Sequence, residues 1–351
     1  MIRVLVVDDS RLVRTVLREI LEADPEIRVE AEAENGLEGV SKCVALGPDV
    51  VLMDVQMPVM GGLEAVERIM RERPTPVIVL SATVHPGEVG SAFRAVRAGA
   101  FEALPKPGDL SALDPRAPAA GDLRARVKLY ARAGRRRGWG SADVVAPRPL
   151  RLPSSSPRVV AMGASAGGPR TVQAILGALP ASFPCPILLV QHISAGFTRG
   201  FSEWLGREIA LPVRVVEAEE RPLRAGVYLA VDGHHLLVRG GAAVVGSGPP
   251  ENGCRPSVDV LFRSVAQGYG TQAVGVVLTG MGRDGARGAL AIREAGGEVL
   301  VQDEHTSAIF GMPRAAIEIG AATRVVPAPE MPRALAEAVS RGAGSAGEGA
   351  R

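Results

Sequence analysis

The segment Arg158 to Gln173, RVVAMGASAGGPRTVQ, sets a serine among small residues where an apolar run ends and a helical pattern begins. Gly163 to Gly167 satisfy G-x-S-x-G, a pattern in which small neighbours permit a sharp turn that projects the serine hydroxyl. The N-terminus of the following helix offers N–H groups and positive dipole potential to an oxyanion. A glycine-rich turn with a serine cap and no chemistry would read the same way. The nucleophile reading therefore needs a base and an acid to orient it. Of the five histidines, His192 directly ends PILLVQ, the next predicted strand after that of Ser165. Asp284, in VVLTGMGRDGA, again lies just past a strand. Ser165, His192 and Asp284 would then share the carboxyl edge of one parallel sheet, where doubly wound folds place their active sites. His305 stays open as a base, His85 belongs to the N-terminal half, and His234 and His235 are expected in a solvated turn. The chain order Ser…His…Asp differs from the Ser…Asp/Glu…His of α/β-hydrolases, so the elbow is expected on another fold.

A second constellation lies near the N-terminus. Asp8 and Asp9 follow VLVV, and Asp54 follows VVLM. Three carboxylates at one sheet edge repel one another unless a hard cation shares the site, and an all-oxygen donor set points to Mg²⁺. Ser81 closes the fourth predicted strand and Lys106 follows the fifth, so a hydroxyl and an ammonium reach the same edge. Such a set can bind a phosphoryl group. The chain has only three lysines (42, 106 and 128) against thirty-seven arginines. Lys42 falls within a predicted helix, which leaves Lys106 for the role.

Two weaker signals compete. Gly280 to Gly285, GMGRDG, match the dinucleotide fingerprint, with Asp303 eighteen residues beyond. Asp284, however, would put a carboxylate where pyrophosphate should sit, and fewer than fifty residues remain after Asp303 for the second half of such a fold. The basic cluster Arg132, Arg135, Arg136 and Arg137 could touch RNA or lipid, but no aromatic residues interleave it, and a solvated linker is the simpler reading.

The elements that must position these residues follow from periodicity. Residues 1–120 alternate five apolar runs (IRVLVV, IRVEAEA, DVVLMD, PVIVLS, FEALP) with helical patterns near 11–23, 37–46, 62–72 and 88–98. This predicts a parallel, doubly wound sheet. Residues 121–157 hold a short helical pattern within a Pro-, Ser-, Ala- and Arg-rich stretch and read as a linker. Residues 158–345 alternate again, with strands at RVVAMG, PILLVQ, VRVVE, AVGVVLT, EVLVQ and TRVVP. Helices are expected near 169–179, 198–209, 257–267, 285–295 and 331–341. GVYLAVDGHHLLVRG reads as a β-hairpin turning near its DG. The fold class is thus α/β: two doubly wound parallel-sheet domains, the second with a hairpin, joined by a linker.

Composition limits the rest. At 351 residues, 46% hydrophobic and 22% charged, the chain suits two globular domains. No apolar run is long enough to span a bilayer, and MIRVLVVDDS does not resemble a secretory leader, so a cytoplasmic location is expected. Three widely spaced cysteines (Cys43, Cys185 and Cys254) suit neither a disulfide framework nor a zinc site. A net charge of +2 gives no argument for nucleic acid or membrane insertion.

VLVVDDS, VVLMDVQMPVMGGLEA, VIVLSA and ALPKP resemble the flavodoxin-like receiver domain of bacterial response regulators. The resemblance implies that Asp54 accepts a phosphoryl group from a histidine kinase of the chemotaxis type. It further implies Mg²⁺ held by Asp8, Asp9, Asp54 and the backbone carbonyl of Gln56, with Ser81 and Lys106 on the phosphate. It also implies that the Lys106–Pro107 bond is often cis. Ala103 departs from the pattern, since an aromatic residue is usual there. VVAMGASAGGP, LLVQHI, RPSVDVLFRSVA, GVVLTGMGRDGARG and VQDEHTSAIFGMPRAAIEIGAA resemble the Rossmann-like catalytic domain of chemotaxis protein-glutamate methylesterases. This implies Ser165 as nucleophile, His192 as base and Asp284 as orienting acid, with an oxyanion site of backbone N–H groups near Met281 and the Ser165 turn. No cofactor is expected for the ester step. The implied substrates are glutamate methyl esters of methyl-accepting chemoreceptors, with deamidation of receptor glutamines by the same chemistry. The resemblance also implies that the unphosphorylated receiver blocks the catalytic edge. A DNA-binding regulator, an adaptor with an idle Ser/His/Asp set, and a serine peptidase are the alternatives. Ala166, where threonine is common, removes a hydroxyl but no triad member.

Overall fold

The computed structural model describes residues 1–81, 86–106, 114–136, 150, 152 and 158–341. The chain forms two compact units, Met1–Ser141 and Ala142–Arg351.

In the first unit the elements run β1 (Ile2–Val7), α1 (Arg11–Glu22), β2 (Ile27–Ala33), α2 (Gly36–Leu46), β3 (Val50–Asp54), α3 (Gly62–Glu72), β4 (Val77–Ser81), α4 (Pro86–Ala98), β5 (Glu102–Pro105) and α5 (Pro118–Arg136). The strands form one sheet in the order β2-β1-β3-β4-β5, with every pairing parallel. The continuous apolar runs of β3 and β4 are wholly buried, as strands covered by helices on both faces must be. Ser10 and Asn35 start α1 and α2 by accepting the backbone N–H of Val13 and Glu38.

Helix α5 differs from expectation. Residues 121–136 are not linker but the last helix of the first unit. Leu123, Val127, Tyr130 and Ala131, spaced four, three and one apart, are all buried. Tyr130 donates to Glu102 Oε2 at 2.7 Å, Arg126 pairs with Glu102, and the Phe101 and Tyr130 rings lie 4.6 Å apart. Dense arginines mask this apolar stripe in the sequence. Arg132 on the same helix pairs with Glu26. Pro107, His85, Arg137 and most of the expected linker lie outside the described residues.

The second unit runs β6 (Val159–Ala164), α6 (Gly168–Gly177), β7 (Pro186–Gln191), α7 (Thr198–Glu208), β8 (Val213–Val216), β9 (Glu219–Glu220), β10 (Gly226–Ala230), β11 (His235–Arg239), β12 (Ala242–Gly246), α8 (Val258–Tyr269), β13 (Ala273–Val277), α9 (Ala286–Glu294), β14 (Glu298–Gln302), α10 (Met312–Glu318), β15 (Arg324–Val326) and α11 (Met331–Ser340). Seven strands form a parallel sheet in the order β15-β14-β13-β6-β7-β10-β8. From β6 the chain builds outward on one side through β7 and returns on the other through β13. The neighbours β13, β6 and β7 therefore straddle the point where the strand order reverses, the crevice favoured for ligands.

The hairpin sits elsewhere than expected. β10 is a parallel member of the large sheet, and the antiparallel hairpin is β11–β12, to which β9 adds a third strand. Its two-residue turn is Gly240-Gly241, both in the left-handed region that such a turn requires. The DG pair, Asp232-Gly233, only carries the chain from one sheet to the other.

Candidate active site

The three strand ends fix the three catalytic candidates. Beyond β6, Ser165 N donates to Thr279 O at 3.0 Å, which extends the β6–β13 ladder by one rung. Beyond β7, His192 N donates to Ala164 O at 2.9 Å, which extends the β6–β7 ladder. The turn after Ser165 is closed by Gly168 N on Ser165 O at 2.8 Å, with Gly167 in the left-handed region at φ +74°. Helix α6 starts there, as the elbow pattern predicts.

Asp284 is 3% exposed and accepts from five donors. His192 Nε2 lies 2.9 Å from its Oδ2, and Val258 N donates to Oδ2 at 2.7 Å. Oδ1 accepts from Ser257 Oγ (2.7 Å), Asn252 Nδ2 (3.0 Å) and Asp259 N (3.1 Å). Val258 and Asp259 open α8, so the aspartate also occupies the positive end of that helix. Burial alone would raise its pKa; His192, Ser257 and the Val258 amide outweigh this and hold the carboxyl at about 2. For His192 the balance runs the other way. Burial would lower its pKa, but the hydrogen bond to Asp284, and then Cys254 beside the ring, push it up to about 9. With Asp284 ionised, Nε2 must carry the proton that faces it, so the lone pair of the neutral ring resides on Nδ1.

Gly280 packs against Ser165: a Cβ there would fall 2.7 Å from Ser165 Cβ. Its N–H donates to Ile309 O, and its carbonyl accepts from Gly311 and Met312. The peptide leading into Met281 is thereby fixed beside Ser165, while the Met281 side chain is exposed and lines a cleft of about 250 Å³ with Asn252, Cys254, Gly282, Arg283 and Asp284.

Several residues of the site carried no sequence signal. Gln191 Nε2 donates both to Ser165 O (2.9 Å) and to His192 O (3.0 Å), clamping the two loops together. Thr279 Oγ1 lies 2.9 Å from Ala166 O and accepts from Ile309 N. Asn252 bridges Asp284 and Asp259. His235, expected in solvent, is 2% exposed, accepts from Ser257 N at 3.1 Å and bonds Pro249 O. Its neighbours in the hairpin sheet pack on α8, which the misplaced turn concealed. His305 is exposed, and Asp303 caps its own turn through Thr306.

In the first unit Asp8 and Asp54 are buried and Asp9 exposed, and one oxygen of each lies within 4.8 Å of the others. Lys106 Nζ stands 2.7 Å from Asp8 Oδ2 and 2.9 Å from Asp54 Oδ2. Burial raises the Asp54 pKa, only partly countered by Lys106. Burial would lower that of Lys106, and the two carboxylates more than reverse this. Ser81 ends β4 at the same edge, where its carbonyl accepts from Lys106 N at 2.7 Å, and the Gln56 amide bonds the Asp54 carboxylate. Arg14, a buried arginine that the sequence did not mark, holds the backbone carbonyls of Asp8 and Asp9 and pairs with Glu32 and Glu34. Oxygen-only donors and a surplus of negative charge suit Mg²⁺: Lys106 alone cannot balance three carboxylates, and among the described residues Asp8 Oδ2 has no aligned hydrogen-bond donor.

The model of the CheB methylesterase family matches residues 160–335, and that of the response regulator receiver domain matches residues 4–117. A protein-glutamate methylesterase/protein-glutamine glutaminase of Geobacter metallireducens is 45% identical over 95% of this chain and 98% of its own length. One from Anaeromyxobacter dehalogenans is 46% identical over 96% of both chains. The crystal structure of the Thermotoga maritima CheB methylesterase catalytic domain is 36% identical, covers 51% of this chain and 97% of its own, and superposes with a TM-score of 0.49. Among the described residues no helix is long and apolar enough to cross a membrane.

Proposed function

The chain belongs to the CheB methylesterase family and carries a response regulator receiver domain ahead of the esterase, and from that premise we propose that it removes methyl groups from glutamate γ-methyl esters of chemoreceptors under control of phosphorylation at Asp54. The observation that carries the reading is the 2.9 Å bond from His192 Nε2 to Asp284 Oδ2, beside a serine whose loop is tied by Gln191 to that of the histidine.

In the forward step His192 Nδ1 takes the Ser165 Oγ proton, and Oγ attacks the ester carbonyl. The oxyanion is met by backbone N–H groups of the Ser165 turn and Met281. Asp284 keeps the ring in the required tautomer and stabilises the imidazolium. His192 returns the proton to the methoxy oxygen, methanol leaves, and a water activated by the same nitrogen releases the glutamyl carboxylate from Ser165. A glutamine side chain enters the same sequence with ammonia as leaving group. The nucleophile, the proton carrier and the oxyanion donors of these steps all come from the chain itself.

In the receiver, Asp8, Asp9, Asp54 and the Gln56 carbonyl would hold Mg²⁺, which supplies charge neutralisation during phosphoryl transfer. Asp54 accepts the group from a histidine kinase, Lys106 stays paired with the product, and Ser81 hydrogen-bonds it. Phosphorylation at Asp54 stimulates the esterase, and the whole cycle belongs in the cytoplasm. The test is methanol release from a methylated receptor fragment, with and without acetyl phosphate and Mg²⁺. Wild type should be stimulated by the donor, Ser165→Ala should release none, and Asp54→Asn should keep its basal rate without stimulation. Receptor binding with no release under any condition would make the chain an adaptor.

A further inference from the structure

The turn 251–254 carries Cys254 to the edge of the His192 ring that Asp284 leaves free. Cys254 Sγ lies 3.9 Å from His192 Nδ1, across 62 residues of sequence, while Asp284 binds Nε2 on the other side. The turn is closed by two backbone bonds between Glu251 and Cys254, at 3.1 and 2.9 Å. The thiol is partly exposed on the 250 Å³ cleft beside Asp284, whereas Cys43 and Cys185 are buried.

This arrangement matches one chemistry closely. A tetrahedral ion bonded to nitrogen at about 2.0 Å and to sulfur at about 2.3 Å holds those two atoms roughly 3.5 Å apart. The observed 3.9 Å needs only a few tenths of an ångström of closure. A histidine that ligates such an ion almost always gives its other ring N–H to a carboxylate, a backbone carbonyl or water, which fixes the ring and raises its basicity. Asp284 already does this. One donor atom from each of His192, Cys254 and Asp284 lies within 4.8 Å of the others. Thiolate and imidazole select a borderline or soft cation over Mg²⁺ or Ca²⁺.

We propose that His192 Nδ1 and Cys254 Sγ form a binding site for a divalent cation of the zinc class, oriented from behind by Asp284 and completed by water from the cleft, and that its occupancy arrests the esterase. The metal takes the lone pair that Ser165 needs for deprotonation. Binding displaces the thiol proton to solvent and changes no oxidation state. The cysteine spacing in the sequence argued against a zinc site; the fold instead sets one cysteine beside a histidine 62 residues away, a pairing that spacing cannot show. Arrest presupposes the esterase reading, but binding does not.

The experiment titrates the metal-free full chain with ZnCl₂ in millimolar Mg²⁺, which keeps the oxygen-rich receiver site filled. Calorimetry should give one Zn²⁺ per chain, at least tenfold weaker in Cys254→Ser and Cys254→Ala. Co²⁺ should produce a thiolate charge-transfer band in wild type and none in either variant. Zn²⁺ should also slow alkylation of Cys254 by iodoacetamide in wild type, read by mass spectrometry, a measurement that needs no variant. Equal Zn²⁺ affinity in wild type and variants, or unprotected alkylation at saturating Zn²⁺, overturns the site. Binding that leaves methanol release unchanged overturns the arrest. Binding and protection are read without ester, so they test the site even in a chain that hydrolyses none.

Discussion

Ser165 and Gly280 meet so closely that a Cβ on the glycine would lie 2.7 Å from the Cβ of the serine and 2.3 Å from Met312 Sδ. The loop after β13 thus closes over Ser165 only because that position has no side chain. Gly280→Ala should push the Met281 peptide away from Ser165 and cost about 10²–10³ in kcat, the size expected for loss of one oxyanion donor. Gly282→Ala is the control. A Cβ there meets nothing within 4 Å, though φ is +86°, so its cost should be one of stability. Steady-state kinetics on both variants decides the point, and a Gly280→Ala enzyme with unchanged kcat would remove the oxyanion role.

The pairing of His192 with Asp284 sets the pH response. In the proposed mechanism His192 works only as neutral imidazole, and its pKa is pushed up from 6.5 to about 9. The rise of kcat/KM with pH should therefore have its midpoint well above 6.5. Asp284→Asn removes the chief cause of the shift, so the midpoint should fall while kcat drops by about 10⁴. In stability the signs are opposite. The raised His192 contributes fully below pH 6.5 and loses its contribution as pH climbs through about 9. The lowered Asp284 contributes fully above pH 3.8 and loses its contribution as pH falls through about 2. A kcat/KM midpoint at or below 6.5 in wild type would contradict the pairing.

Gln191 positions without touching the reacting atoms. Gln191→Leu leaves the carbonyls of Ser165 and His192 without its amide donor, a loss of about 1–3 kcal/mol. Its own Oε1 is buried with no hydrogen bond, so nothing is lost there. The expected signature is a fall in kcat with KM and the pH midpoint unchanged. A moved midpoint would instead mean that Gln191 tunes His192.

Val59, 80% exposed, sits at φ +67° in the turn after Asp54. A β-branched residue there is strained, whereas asparagine tolerates it. Val59→Asn should stabilise the receiver by roughly 1 kcal/mol, seen as a later receiver transition in urea unfolding. Val59→Ile, equally branched, should change nothing.

Strand ends were legible because topology alone decides them: a parallel sheet brings the residues after β6, β7 and β13 together whatever the loops do. The same logic found Asp8, Asp54 and Lys106. What supports them was not legible, since Asn252 and Ser257 reach Asp284 from 32 and 27 residues away along irregular chain, with no periodic trace. Helix α10 has only seven residues, too few for its period to register. The helical pattern of α5 was legible, but its arginines hid the buried stripe that makes it part of the first unit, and the hairpin was misplaced because Asp232-Gly233 and Gly240-Gly241 are both good turn pairs and only tertiary pairing chooses between them.

The first N–H groups of a helix have no partner within it, and in most helices they trade protons with water freely. In α8 the amides of Val258 and Asp259 are instead held by the Asp284 carboxylate, which also pairs with His192. Their exchange in deuterium oxide becomes a clock on the active site, running slowly while Asp284 is seated and quickening when it turns away. A spectroscopist could follow catalytic readiness from two backbone signals, with no substrate in the tube.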